Sequence, residues 1–266
     1  VSLTGNAALM LNDAMLARLA GAQHVMVLTG AGMSAESGIP TFRDAQTGIW
    51  AKYRPEDLAT PEAFAADPAR VWQWYEERRH AVRQASPHAG HQALVRLQQL
   101  VPGLSLVTQN VDSLHQVAGS GNVTELHGNI LRSKCHISGR LIGAEWLADS
   151  TQAPPPSPYV ERGYARPDVV WFGEMLPREA LEAAMEAAAL CDFCLSVGTN
   201  SLVQTAASLP LMELENGAVL VEVNPQETPL SPQANQCLRG PASVVLPAIV
   251  QQLADLKRDP DQGSHL

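Results

Sequence analysis

The sequence predicts an α/β fold: a doubly wound, mostly parallel sheet carrying a smaller inserted domain. Short apolar runs alternate with longer helical patterns along most of the chain. Nearly every apolar run ends at Gly, Asn, Gln or Thr, as strands do when ligand-binding loops follow their carboxyl ends. Two segments, 44–86 and 131–165, break this alternation, one helical and one irregular. The expected division is therefore a sheet domain from residues 1–43, 87–130 and 166–266, and a small domain from 44–86 and 131–165.

Residues 8–21 carry Leu9, Met10, Leu11, Met15, Leu16 and Leu19 at roughly helical spacing, so a helix packed on the sheet is expected. Val25 to Leu28 reads as a short buried strand. It stops at Thr29-Gly30-Ala31-Gly32. Gly30, Gly32 and Ala35 fit a G-x-G-x-x-G/A spacing, in which glycine lets the backbone approach a pyrophosphate at a helix N-terminus. The acidic residue that usually follows about 20 positions on is absent, with Trp50 in its place, which weighs against a plain dehydrogenase. Ser34, Glu36 and Ser37 place small polar groups after the loop, and Pro40, Phe42 and Arg43 follow.

Segment 44–86 concentrates Trp50, Tyr53, Phe64, Trp72, Trp74 and Tyr75 in a chain that is only 5% aromatic. Asp67-Pro68 reads as an N-cap followed by proline at N1, so a helix is expected over 68–85. Val71, Tyr75, Arg78 and Val82 fall on one stripe of it. Arginine in such a stripe either snorkels or pairs within the fold, or awaits an external carboxylate, for which its planar fork is suited.

A second strand, Leu104–Thr108, ends at Gln109-Asn110-Val111-Asp112. A third, Asn122–Leu126, closes on His127-Gly128, where a histidine could serve as general base. His24, His88 and His91 read as structural. Arg166–Glu174 brings a strand back, a helix is expected over 177–190, and strands follow at 192–197, ending at Gly198-Thr199-Asn200, and at 217–223, ending at Asn224. A last strand is expected at Ala242–Leu246, then a helix over 247–257.

The 266 residues carry a net charge of −9, which argues against a sequence-independent nucleic-acid binder. No apolar run reaches the roughly 18 residues of a membrane helix. Val1 to Asn12 lacks a basic stretch ahead of an apolar one, so no secretory signal is expected. Four cysteines do not make a disulfide framework in a chain of this length, and a reducing, cytoplasmic setting is expected.

Taken together, Gly30–Arg43, Gln109–Asp112, His127-Gly128, Val170–Glu174, Gly198–Asn200 and Asn224 resemble the motifs of the sirtuins, NAD-dependent protein deacylases, in the order that family uses. The resemblance implies a Rossmann-like domain with a small domain and NAD between them. It assigns NAD to Gly30, Ala31, Gly32, Ser34, Ala35, Phe42, Arg43, Trp50, Gln109, Asn110, Val111, Asp112, Gly198, Thr199, Asn200, Asn224, Pro225, Gln226 and Ala242. It makes His127 the catalytic base, with Asn110 and Asp112 at the nicotinamide end. It places an acyl-lysine peptide against Val170, Trp171, Phe172, Gly173 and Glu174 as an added strand. Ala59, Tyr75 and Arg78 match the group that prefers succinyl, malonyl or glutaryl chains. An ADP-ribosyltransferase or NAD glycohydrolase, and a non-catalytic NAD sensor, are the alternatives.

The family usually holds a structural zinc with two Cys-x-x-Cys pairs. Here Cys135 is followed by His136, Ile137 and Ser138, and residues 139–170 contain no cysteine. No metal is expected, and Leu131, Leu141, Ile142, Trp146, Leu147 and the Pro154–Pro158 loop are expected to hold the second insert. Cys191 and Cys194 read as buried packing. The sequence leaves the oligomeric state open.

Overall fold

The structure is a computed structural model and describes residues 9–39, 53–200 and 217–258. Helix α1 (Asp13–Gly21) is capped by the Asn12 side chain, which accepts from the Met15 N–H. Strand β1 (His24–Thr29) leads into a short helix, α2 (Ala31–Ala35). Helices α3 (Pro55–Leu58), α4 (Pro61–Ala66) and α5 (Pro68–Gln84) form the first insert. Asp67 caps α5 through the Arg70 N–H, with proline at N1. Then come α6 (Ala89–Leu100), β2 (Gly103–Thr108), α7 (Leu114–Ala118), β3 (Val123–Glu125), β4 (Gly128–Cys135), β5 (Leu141–Ile142), α8 (Ala144–Ala148) and β6 (Ala165–Val169). The chain continues with α9 (Arg178–Leu190), β7 (Phe193–Val197), β8 (Val219–Val223), β9 (Gln236–Leu238) and α10 (Ala242–Arg258).

The main sheet has the order β3-β2-β1-β7-β8-β9, and its pairs are all parallel. Both faces are covered, which is why the strands read as continuous apolar runs. Val25 and Val27 join Leu19, Leu94, Leu97 and the buried stripe of α10 in one core. Met26 and Leu28 point the other way, against Ala184, Ala187 and Ala188 of α9.

A second, three-stranded antiparallel sheet has the order β5-β4-β6. The first insert shares a core with this sheet and the turn after it, in which Phe64, Val71, Trp74, Tyr75 and Val82 meet Ile130, Val169 and Trp171. Gly128 turns the chain into this sheet with φ +77, and a Cβ there would lie 2.1 Å from the Asp168 carbonyl oxygen. Only glycine fits that approach.

The carboxyl end of the chain corrects the sequence reading. Residues 242–246 are the first turns of α10, not a strand, and the final strand is β9. The buried positions Ala242, Val245, Leu246, Ile249, Val250 and Leu253 instead follow helical spacing, and Pro247 sits inside the helix. The packing of the second insert also differs. Ile142 is buried and Leu147 packs on the core, but Leu131, Leu141 and Trp146 are exposed. Cys191 and Cys194 are buried in the main core beside the sheet.

Candidate functional site

The carboxyl ends of β1, β2, β3, β7 and β8 deliver Gly30, Gln109, His127, Gly198 and Asn224 to one edge of the sheet. The chain reverses its direction of sheet-building between β1 and β7, and such a switch point opens a crevice for a ligand. Gly32 and Gly198 touch there: a Cβ on Gly32 would lie 2.8 Å from the Gly198 Cα. Gly198 itself has φ +60, and its own Cβ would lie 2.4 Å from the Met33 nitrogen. The loops after β1 and β7 are thus locked together by absent side chains. Phe42, Arg43 and Trp50 lie outside the described residues.

Side chains then tie the strand ends into one unit. The Gln109 amide donates to the Thr199 hydroxyl at 3.1 Å, bridging β2 to β7 across β1. The Asn110 amide donates to the Gly30 carbonyl at 2.9 Å and to the Ser34 hydroxyl at 3.0 Å. Ser34 in turn donates to Asp112 at 2.6 Å. Ser34 is therefore turned toward Asn110 and Asp112, and its hydroxyl is buried. The Asp112 carboxylate also accepts the Leu114 N–H, yet burial outweighs both donors and holds its pKa above the usual value. Asn224 donates to the Thr199 carbonyl at 3.0 Å and accepts from the Gln226 N–H. Pro225 and Gln226 are exposed beside it, as are Ala31 and Ala35 at the other loop. Ala242 is buried in the first turn of α10.

His127 stands at the end of this row. Its Nδ1 lies 2.9 Å from the Gln109 carbonyl oxygen, which can only accept. The proton is fixed on Nδ1, and Nε2 keeps its lone pair. Burial lowers the His127 pKa, opposed in part by that backbone bond, so the ring is a neutral base at neutral pH.

The Sir2 family's sequence model matches residues 30–205, which covers every one of these strand ends except Asn224. The chain belongs to the Sir2 family. It is 47% identical over 246 residues to a protein of Pseudomonas aeruginosa named NAD-dependent protein deacylase 1, covering 90% of this chain and 98% of that one. A Thermus thermophilus NAD-dependent protein deacylase is 51% identical over 226 residues, covering 84% and 87% of the two chains. The crystal structure of a Sir2 homologue–NAD complex superposes with a TM-score of 0.84 at 43% identity, covering 92% of this chain and 94% of the other. A Sir2 mutant bound to a p53 peptide and NAD superposes with a TM-score of 0.78 at 28% identity, covering 89% and 96%.

In this Sir2 chain β6 stops at Val169, and Val170–Glu174, expected as its continuation, is a turn. The Val170 N–H donates to the His127 carbonyl, Phe172 to the Ala59 carbonyl and Glu174 to the Trp171 carbonyl. The Trp171 N–H is taken by the Glu174 carboxylate at 2.8 Å. Gly173 makes the turn at φ +85. The N–H groups of Val170, Trp171, Phe172 and Glu174 are thus engaged within the chain. Glu174 pairs with Arg166 through both carboxylate oxygens, at 2.5 and 2.9 Å, and the Arg166 guanidinium lies 3.2 Å from the Trp171 ring centroid. The turn is seated between His127 and Ala59.

The α5 stripe behaves in two ways. Val71, Tyr75 and Val82 are buried, while Arg78 is half-buried with its guanidinium 5.0 Å from the Trp74 ring centroid. Burial draws the Arg78 pKa below the ordinary value, and the neighbouring Tyr75 opposes this. Tyr75 is only 1% exposed, and its phenol is pushed up to about 12 by burial, so it stays an O–H.

Sequence reasoning missed several supporting groups. Arg79, next to Arg78, is tied into the fold: it donates to the Ile130 and Arg132 carbonyls and to Ser133, and pairs with Glu76. Beneath Asn110, the Thr108 hydroxyl accepts from the Asn110 N–H and from Thr29, and Thr29 meets His115 Nε2 at 2.9 Å. His88, His91 and His115 lie in a row, edge-on or tilted to one another, with ring centroids 4.3 and 5.0 Å apart. His24 bonds Ser105 at 2.9 Å. Among the described residues, no three His, Cys, Asp or Glu side chains gather as a metal would need.

Proposed function

We propose that this Sir2 chain, an NAD-dependent protein deacylase, removes acidic acyl groups (succinyl, malonyl or glutaryl) from protein lysines. What carries the reading is the pair Tyr75 and Arg78 on one face of α5: Tyr75 lies in the core shared with Ala59 and Trp171, and Arg78 is half-buried beside it. The Arg78 guanidinium lies over the Trp74 ring. A guanidinium in a partly desolvated position recognises a carboxylate by charged hydrogen bonds, each worth about 1.5–3 kcal/mol.

The site residues fit NAD. The glycine loops meet at the switch point, where such sheets take ligands, and Asn110, Asp112 and the Gln109 amide are fixed there by hydrogen bonds. NAD supplies the ribose carbon that the acyl oxygen attacks as nicotinamide leaves, and the ribose hydroxyl that takes up the acyl group. His127 Nε2 accepts the proton from that hydroxyl. Gln109 holds the ring in the needed tautomer through its carbonyl. Asn110 and Asp112 orient the nicotinamide end and keep water out of a buried pocket.

Mass spectrometry of acetyl-, succinyl- and glutaryl-lysine peptides incubated with NAD tests this. Deacylated peptide and O-acyl-ADP-ribose should form fastest from the acidic acyl peptides. NAD consumption independent of any peptide would instead favour a glycohydrolase.

A further inference from the structure

The resemblance to sirtuins implies a zinc that joins the β4–β5 hairpin to the loop before β6, and the residues here do not fit one. Cys135 is fully buried in a core with Trp72, Ile142 and Ala165. Its sulfur accepts the Ser138 N–H at 3.5 Å. Facing it is Gly163, where a Cβ would lie 3.4 Å from the sulfur and 2.9 Å from the Val160 oxygen. Backbone thus fills the space beside the sulfur that a metal and its remaining ligands would need. His136 is committed elsewhere: its Nδ1 accepts the Tyr164 N–H at 2.9 Å, and its ring stacks on Tyr164. One thiol with serine hydroxyls around it is not a zinc ligand set, which draws on thiolate, imidazole and carboxylate.

The same two segments are joined by organic contacts instead. The Arg140 guanidinium lies 3.9 Å from the Tyr159 ring centroid, and the Tyr159 hydroxyl donates to the Leu141 carbonyl at 2.7 Å. The Trp146 indole donates to the Pro156 carbonyl at 2.8 Å. Backbone bonds from His136 to Tyr164 and from Ala165 to Pro155 close the seam. We infer that residues 135–165 fold without a metal, and that Tyr159, clamped by Arg140 and reaching Leu141, is the crosslink that replaces it.

The test is elemental analysis of the full chain purified from zinc-supplemented medium, with thermal unfolding followed in the presence and absence of a strong chelator. Substoichiometric zinc and a chelator-insensitive Tm are expected. Tyr159→Ala is expected to lower Tm by a few degrees, on the scale of about 2–4 °C for each kcal/mol lost in a chain of this size. About one zinc per chain, or a Tm that falls with chelator, overturns the inference. So does a Tyr159→Ala variant that melts with the parent. Should that variant be insoluble, Tyr159→Phe, which loses only the hydroxyl, is expected to show a smaller fall, and an unmoved Tm overturns the crosslink.

Discussion

The Trp171 indole N–H donates to the Tyr75 hydroxyl at 2.9 Å, across 96 residues of sequence. A phenol that accepts a hydrogen bond on one lone pair has its own proton directed away from that donor. Arg166 stacks on the Trp171 face and is itself clamped by Glu174, so the indole is held still. The Val170–Glu174 turn therefore orients the α5 face that carries Arg78.

Trp171→Phe keeps the ring and loses the donor. The ratio of kcat/KM for succinyl- over acetyl-lysine peptide should fall several-fold, and stability should drop by about 0.5–1.5 kcal/mol, the net value of one hydrogen bond. Parallel peptide assays and urea unfolding measure the two. An unchanged ratio would reduce Trp171 to a packing residue.

His127→Ala should abolish turnover and leave NAD affinity within a few-fold of the parent. Burial keeps the His127 pKa below its ordinary 6.5, so kcat/KM should stay flat at neutral pH and decline only on the acid side of about 6.5. Calorimetric NAD titration and a pH profile check both halves.

Ser34→Ala removes the hydroxyl that bridges Asn110 to Asp112. It leaves a buried carboxylate short of a donor, a loss of about 1–3 kcal/mol. If Asn110 and Asp112 serve the nicotinamide end as proposed, nicotinamide exchange should slow more than the binding of ADP-ribose weakens. Equal effects on both would place Ser34 elsewhere.

His91 and His115 make stability depend on acid. Burial and neighbouring histidines depress their pKa values to about 3 and about 4, against 6.5 when exposed. The unfolded chain thus binds more protons between those values. Stability is complete above about pH 6.5 and declines as pH falls toward the folded-state values, by up to about 1.4 kcal/mol per pH unit for each ring. Urea midpoints from pH 7 to 5 should show this slope, and His91→Gln with His115→Gln should flatten it. A slope that survives both substitutions would assign it to other groups.

The sheet was legible because both its faces are covered: β1, β2, β7 and β8 read as apolar runs ending in small polar residues. The close-packed loops after β1 and β7 were legible through their glycines, and the α5 stripe through its odd arginine. What stayed hidden depends on distant partners. Ser34 was expected among the NAD residues, but its bonds to Asn110 and Asp112 were not, because these lie 76 and 78 positions away. Arg79 lay off the stripe, and its carbonyl partners are in β4. Residues 170–174 read as an extension of β6 because nothing local announces that Ala59 and His127 will take their N–H groups. The start of α10 was misread because β-branched residues and a proline locally imitate a strand and its stop.

The most direct test of an Arg78 that selects acidic acyl chains is kcat/KM for succinyl- and acetyl-lysine forms of one peptide, measured on the parent and on Arg78→Met. The parent should prefer the succinyl peptide, and the substitution should cut that preference roughly tenfold to hundredfold, the worth of one charged hydrogen bond. Equal losses on the two peptides, or a parent that favours acetyl-lysine, would contradict it.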